Sequence, residues 1–152
     1  IPGFGGYIER QNRRDADKLL RDTVARRFEE QHKRASQLQT ELVSAGKIEF
    51  VDDMEKATIK LQTFMDKISR APRGYSGLFD AVKINEKELE AIYQFDAAFF
   101  DLAEQIGRAL DNVEQSLGDD AALPAAIRNL ATLARQAVEV YEKRDEVVTG
   151  SN

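Results

Sequence analysis

Apolar residues recur three and four positions apart through four long stretches of the chain, and polar residues fill the positions between them. The first stripe, Leu20, Val24, Phe28, Ala35, Leu38 and Leu42, forms one face of a helix. It predicts a first helix over about 7–44, stopped by Ala45-Gly46, after a flexible lead at 1–6. The second stripe, Ile48, Val51, Met54, Thr58, Leu61, Met65 and Ile68, predicts a helix over about 48–70. Ala71-Pro72 should end it, because the residue before a proline is pushed away from the helical region. A third helix, about 85–117, opens with Asn85 and Glu88 as a capping box and carries apolar residues from Leu89 to Leu117 before Gly118. The fourth, about 120–148, is capped by Asp119 or Asp120, holds Pro124 in its first turn or so, and buries Leu123, Ile127, Leu130, Ala134, Ala137 and Tyr141.

Two of the three connections are short, which forces antiparallel neighbours. The expected fold is an all-α, antiparallel up-down-up-down four-helix bundle with long, coiled-coil-like helices, one domain over 1–152. At ~1.5 Å per residue the first helix reaches ~55 Å and the second ~35 Å. The polar start of the first should then project past its hairpin partner or bend over the bundle. The same topology gathers Arg10, Arg13, Arg14, Arg70, Arg73, Lys83, Lys143 and Arg144 at one end, with Phe4, Tyr7, Tyr75 and Phe79 among them.

Composition agrees with a water-facing, helix-rich chain: 42% apolar, 32% charged and three prolines in 152 residues. No segment approaches the ~18 consecutive apolar residues of a membrane span. The absence of cysteine removes disulfides, thiolate metal sites and a cysteine nucleophile together. Cytoplasm is the expected compartment, with a membrane-peripheral place as the alternative; the chain starts at Ile1, so residues upstream of it are expected to exist. Net charge is -5, yet residues 1–34 hold nine Lys or Arg against six acids, which makes that stretch +3 and leaves -8 for the rest. A basic arm on an acidic body is the reading.

Few residues are left over for chemistry. The 71–84 connection, with Arg73, Tyr75, Phe79 and Lys83, reads either as a recognition loop or as a short helix in which Leu78, Phe79, Val82 and Ile84 plug the end of the bundle. Gly3-Phe4-Gly5-Gly6 lacks the preceding strand and the Lys-Ser/Thr ending of a phosphate loop and reads as a flexible tether, with Phe4 and Tyr7 either packing onto the bundle's end or dipping into an anionic bilayer surface or a partner's groove. Glu29 and His32 have the Glu-x-x-His step of carboxylate-bridged metal sites, for which Glu104, Glu114 or Glu139 would complete an asymmetric set. His32 is the only histidine, and Glu29 near Lys33 gives the plainer account of a solvated face. Asp96 and Asp101 lie five apart, roughly 140° around the helix, so one can point inward but a proton-sharing site between the two is not expected. Arginines alternating with Asp15, Asp17 and Asp22 suit pairing along a helix better than phosphate tracking, and nucleic acid is not an expected partner. Ile59, Phe64, Phe100 and Val140 fall off the main stripes and are candidates for packing between copies in a homo-oligomer.

The long first hairpin with its basic, glycine-led start resembles in architecture the coiled-coil hairpins of membrane-remodelling proteins of the phage-shock and ESCRT type. That likeness spans about the first 70 residues and implies a membrane adaptor. The sequence reading is therefore a non-enzymatic adaptor or scaffold without cofactor, binding a protein partner or an anionic membrane surface through Arg13, Arg14, Arg73, Tyr75 and Phe79. Arginines would supply attachment and aromatics the anchors. The alternative is a metal-binding bundle protein or a carboxylate-type metalloenzyme.

Overall fold

A computed structural model describes the backbone of residues 10–81 and 86–149 and the side chains of 18–68, 87, 90, 91 and 94–144. Four helices account for nearly all of it: α1 Arg10–Ser44, α2 Ile48–Ala81, α3 Glu86–Gln115 and α4 Leu123–Thr149. The fold is an all-α four-helix bundle. No helix among the described residues is long and apolar enough to cross a membrane.

The turn between α1 and α2 is specified by Gly46, whose φ of 75° lies in the left-handed region that a side chain disfavours. The amides of Gly46 and Lys47 donate back to the carbonyls of Val43 at 3.0 Å and Leu42 at 2.9 Å, so the helix closes with a Schellman motif. At the other tip the Asp119 carboxylate accepts from the amides of Ala121 and Ala122, at 3.0 and 3.2 Å, and caps the start of the fourth helical segment. The expected cap at Asn85 lies outside the described residues.

The second helix is longer than its sequence suggests. Pro72 does not end α2, which runs to Ala81. An interior proline forfeits one helical hydrogen bond and crowds the carbonyl four residues back, at about 3 kcal/mol, but it does not forbid helix on either side. Beyond it the apolar spacing resumes at Tyr75 and Phe79, seven and eleven positions after Ile68. Residues 71–81 of the expected connection are thus helix rather than loop, and 82–84 lie outside the described residues. Over the described residues, 35 in α1 and 34 in α2, the two are matched in length, and there α1 does not overhang its partner as the sequence led one to expect.

Among the described residues α1 packs on α2 and α3, and α4 packs on α2 and α3. Hence α1 and α4, like α2 and α3, face each other across the diagonals of the square. Antiparallel contacts join α1 to α2 and α3 to α4, whereas α1 and α3 run parallel: Arg27 meets Glu104, Gln31 meets Ala103 and Arg34 meets Gly107. The two hairpin tips therefore share one end, where the Lys47 ammonium lies 2.5 Å from Asp120.

Core positions follow the expected stripes in α1 and mostly in α3 and α4. In α2 the buried set is Met54, Ala57, Leu61, Phe64 and Ile68; Ile48 is 62% exposed and Met65 only half-buried, so the buried face is turned from the predicted one. Phe64, expected off the stripe, is what turns it. Its ring stands 4.2 Å from Phe28, 5.1 Å from Phe99 and 6.3 Å from Tyr141, joining all four helices in one aromatic layer. Toward the tips the core becomes aliphatic, with Leu38, Leu42, Leu110, Val113 and Ile127.

Candidate functional site

The end opposite the tips is where the sequence put its binding residues. Arg13 and Arg14 lie in the second turn of α1, and Arg73, Tyr75 and Phe79 in the last turns of α2, the open ends of a single hairpin. Their side chains, and those of Arg10 and Arg70, lie outside the described set, as do Phe4, Tyr7 and Lys83 altogether.

Arg144 was expected on that surface and is instead part of the core. Its guanidinium is 1% exposed and grips the Asp96 carboxylate, itself 0% exposed, through Nε at 2.5 Å and Nη2 at 3.4 Å. The position has helical spacing toward the core on α4, seven after Ala137, and Asp96 sits three before Phe99 on α3, so both side chains point inward. A buried charge requires a partner and each has one. Arg21 is also buried, at 2% exposure. The contacts between α1 and α3 pair residues 72 to 80 positions apart, and Asp96, 75 positions after Arg21, falls inside that interval. A layer of buried charge thus lies next to the aromatic layer. The signal available in the sequence was the interruption of apolar stripes by Arg21, Asp96 and Arg144, which reads equally as a solvated face.

Part of the basic character of the first helix is spent inside the molecule. Arg27 pairs with Glu104 at 2.6 Å and lies 5.5 Å over the Phe100 ring. Arg34 reaches Asp111 at 2.6 Å and Glu114 at 3.3 Å, and its Nη1 donates to the Gly107 carbonyl at 3.4 Å. Burial alone would lower the Arg34 pKa, but the hydrogen bonds and charges of Asp111 and Glu114 outweigh it and hold the group above its ordinary value. Between these arginines Gln31 donates from Nε2 to the Ala103 carbonyl. Phe100, expected to pack between chains, is half-buried beneath Arg27.

The metal candidate resolves into ion pairs. Glu29 faces Lys33 at 3.7 Å, Glu104 faces Arg27, Glu114 faces Arg34 and Glu139 faces Arg135 at 3.6 Å. Among the described residues no three His, Asp or Glu side chains are grouped to hold a metal ion. Asp101 is exposed while Asp96 is buried, so the two carboxylates are apart as helix geometry demands.

One surface feature has no counterpart in the sequence reading. An open groove runs between α3 and α4, in two parts of about 380 and 270 Å³ that meet at Gln105. Leu102, Ala109, Leu133 and Val140 form its floor. Its walls carry the amides of Gln105 and Asn112 on α3 and of Asn129 and Gln136 on α4. In the antiparallel register set by Asp96 and Arg144, Gln105 stands opposite Gln136 and Asn112 opposite Asn129. Asp101, Arg108, Glu139 and Lys143 complete the lining.

Comparison with protein families, with curated proteins and with solved structures finds no match to this chain.

Proposed function

We propose that the chain is a non-enzymatic adaptor whose open end, at the start of α1 and the end of α2, engages an anionic membrane surface or a protein partner. Support comes chiefly from the matched lengths of α1 and α2, which bring Arg13 and Arg14 to the same end of the hairpin as Arg73, Tyr75 and Phe79. It comes also from where the other cations of α1 go. Arg27, Lys33 and Arg34 each face a carboxylate within the molecule and Arg21 is buried, while Lys18 and Arg26 are exposed, so the positive charge of the first helix that remains for a partner lies in its first half. Arginine next to aromatic residues suits attachment to an anionic surface followed by insertion of rings. A cytoplasmic or membrane-peripheral location belongs to this reading.

The test is co-sedimentation with anionic and with neutral vesicles at low and moderate salt. Selective, salt-sensitive binding to anionic vesicles is the expected result for a membrane adaptor, and replacing Arg13, Arg14 and Arg73 together by Glu should abolish it. Binding to neither kind of vesicle would leave the protein-partner form of the proposal. If the triple variant retained every interaction of the parent chain, the open end would not be the binding surface.

A further inference from the structure

The groove between α3 and α4 has a pattern of charge that repeats itself upside down. Along α3, Asp101 lies four positions before Gln105 and Arg108 three positions after it. On α4, the acid Glu139 stands on the same side of the Gln105–Gln136 level as Asp101, toward the open end. A second copy turned by a two-fold axis lying across the helices at that level sets α3 against α3 and α4 against α4, each antiparallel. Asp101 of each copy then meets Arg108 of the other, with Glu139 alongside. Gln105 and Gln136 meet their own counterparts, and a carboxamide both donates and accepts, so it is its own complement. Lys143 falls opposite Asn129, which puts no like charges together.

The other two-fold arrangement, with the axis along the helices, brings α3 against α4 of the second copy, again antiparallel but with every level unchanged. It sets Asp101 beside Glu139 of the second copy and gives Arg108 only Leu133. Like charges across an interface select against it. The two charges that form the reciprocal pairs are also unspent within the molecule: neither Asp101 nor Arg108 has an ion pair with a described residue, in contrast to the acids of α3 that face α1 and to Glu139, which faces Arg135.

We infer that the α3–α4 groove is the interface of an antiparallel, two-fold symmetric homodimer, held in register by reciprocal Asp101–Arg108 pairs about a central glutamine layer. The contact is modest. From Ala98 to Asn112 it extends about 21 Å along helices roughly 10 Å apart, which is less than the ~800 Å² per partner of a standard interface. The dimer should therefore be concentration-dependent. Its formation is independent of what binds at the open end, since Arg13, Arg14 and Arg73 take no part in it.

Sedimentation equilibrium of the whole chain, from micromolar to millimolar at low salt, tests the inference. The average mass should rise from monomer toward dimer. R108E and, separately, D101R with E139R should each weaken association about tenfold or more, while helical content and thermal midpoint stay near those of the parent, because these side chains are exposed. Mixing the two variants should restore association, since every acid of one then meets a base of the other. A monomer mass throughout, charge-reversed variants that associate like the parent, or a mixture that fails to recover would each overturn it.

Discussion

The third helix treats its two neighbours differently. Toward α1 it offers three half-exposed carboxylates, Glu104, Asp111 and Glu114, all answered by Arg27 and Arg34 along one seam. Toward α4 it commits a single charge, Asp96, at full burial, and leaves Asp101 and Arg108 facing outward. A distributed, wet set of pairs and one dry pair serve the same task of aligning helices at different cost. Exposed pairs lose little water and so contribute little each. A buried pair gives up all its hydration, and breaking it strands a charge.

The strongest way to break this contrast is Asp96→Ala, which removes the bidentate partner of a buried guanidinium. It should destabilise the fold by about 3–5 kcal/mol, read as a fall in the urea midpoint. The α1 seam should respond in the opposite sense to Gly107→Ala. A methyl there would lie 3.5 Å from the Gln31 Nε2, an ordinary contact, so the helix gains roughly 0.5–1 kcal/mol of propensity and the thermal midpoint should rise. The smallest effect sharpens the comparison most. A double-mutant cycle on Arg34 and Asp111 should return a coupling of about 0.2–1 kcal/mol that shrinks with added salt, because Arg34 is 33% exposed and Asp111 56%. A coupling as large as the Asp96 effect would mean that the seam, rather than the buried pair, aligns the bundle.

Most of the architecture was legible because it rests on periodicity, which any apolar stripe reports. The α1 stripe from Leu20 to Leu42 is buried at every named position. Two errors share one cause. Pro72 acts only locally, and helical residues on both sides override it, while a count of apolar residues along α2 gives no weight to the reach of the Phe64 ring into the other three helices. Arg144 was misjudged because a charge at an inward position looks no different, in one sequence, from a charge on a solvated face. Its partner stands 48 positions away, and only the packing of α3 on α4 joins them. The groove was invisible for a related reason. Gln105, Arg108, Asn129 and Gln136 are ordinary surface residues until two helices are laid side by side.

The Asp96–Arg144 pair also has a mechanical meaning. Most of the α3–α4 contact is aliphatic and alanine-rich, and such surfaces permit one helix to slide along the other by a repeat with little loss of fit. A slip of α4 by seven residues would carry Arg144 out of place and set Ala137 against the Asp96 carboxylate. The pair is thus a detent: it blocks axial sliding while leaving lateral parting to the layers around it. A pull on the end of α4 would travel as a rigid displacement through the aromatic layer to the tips, rather than being absorbed as slip.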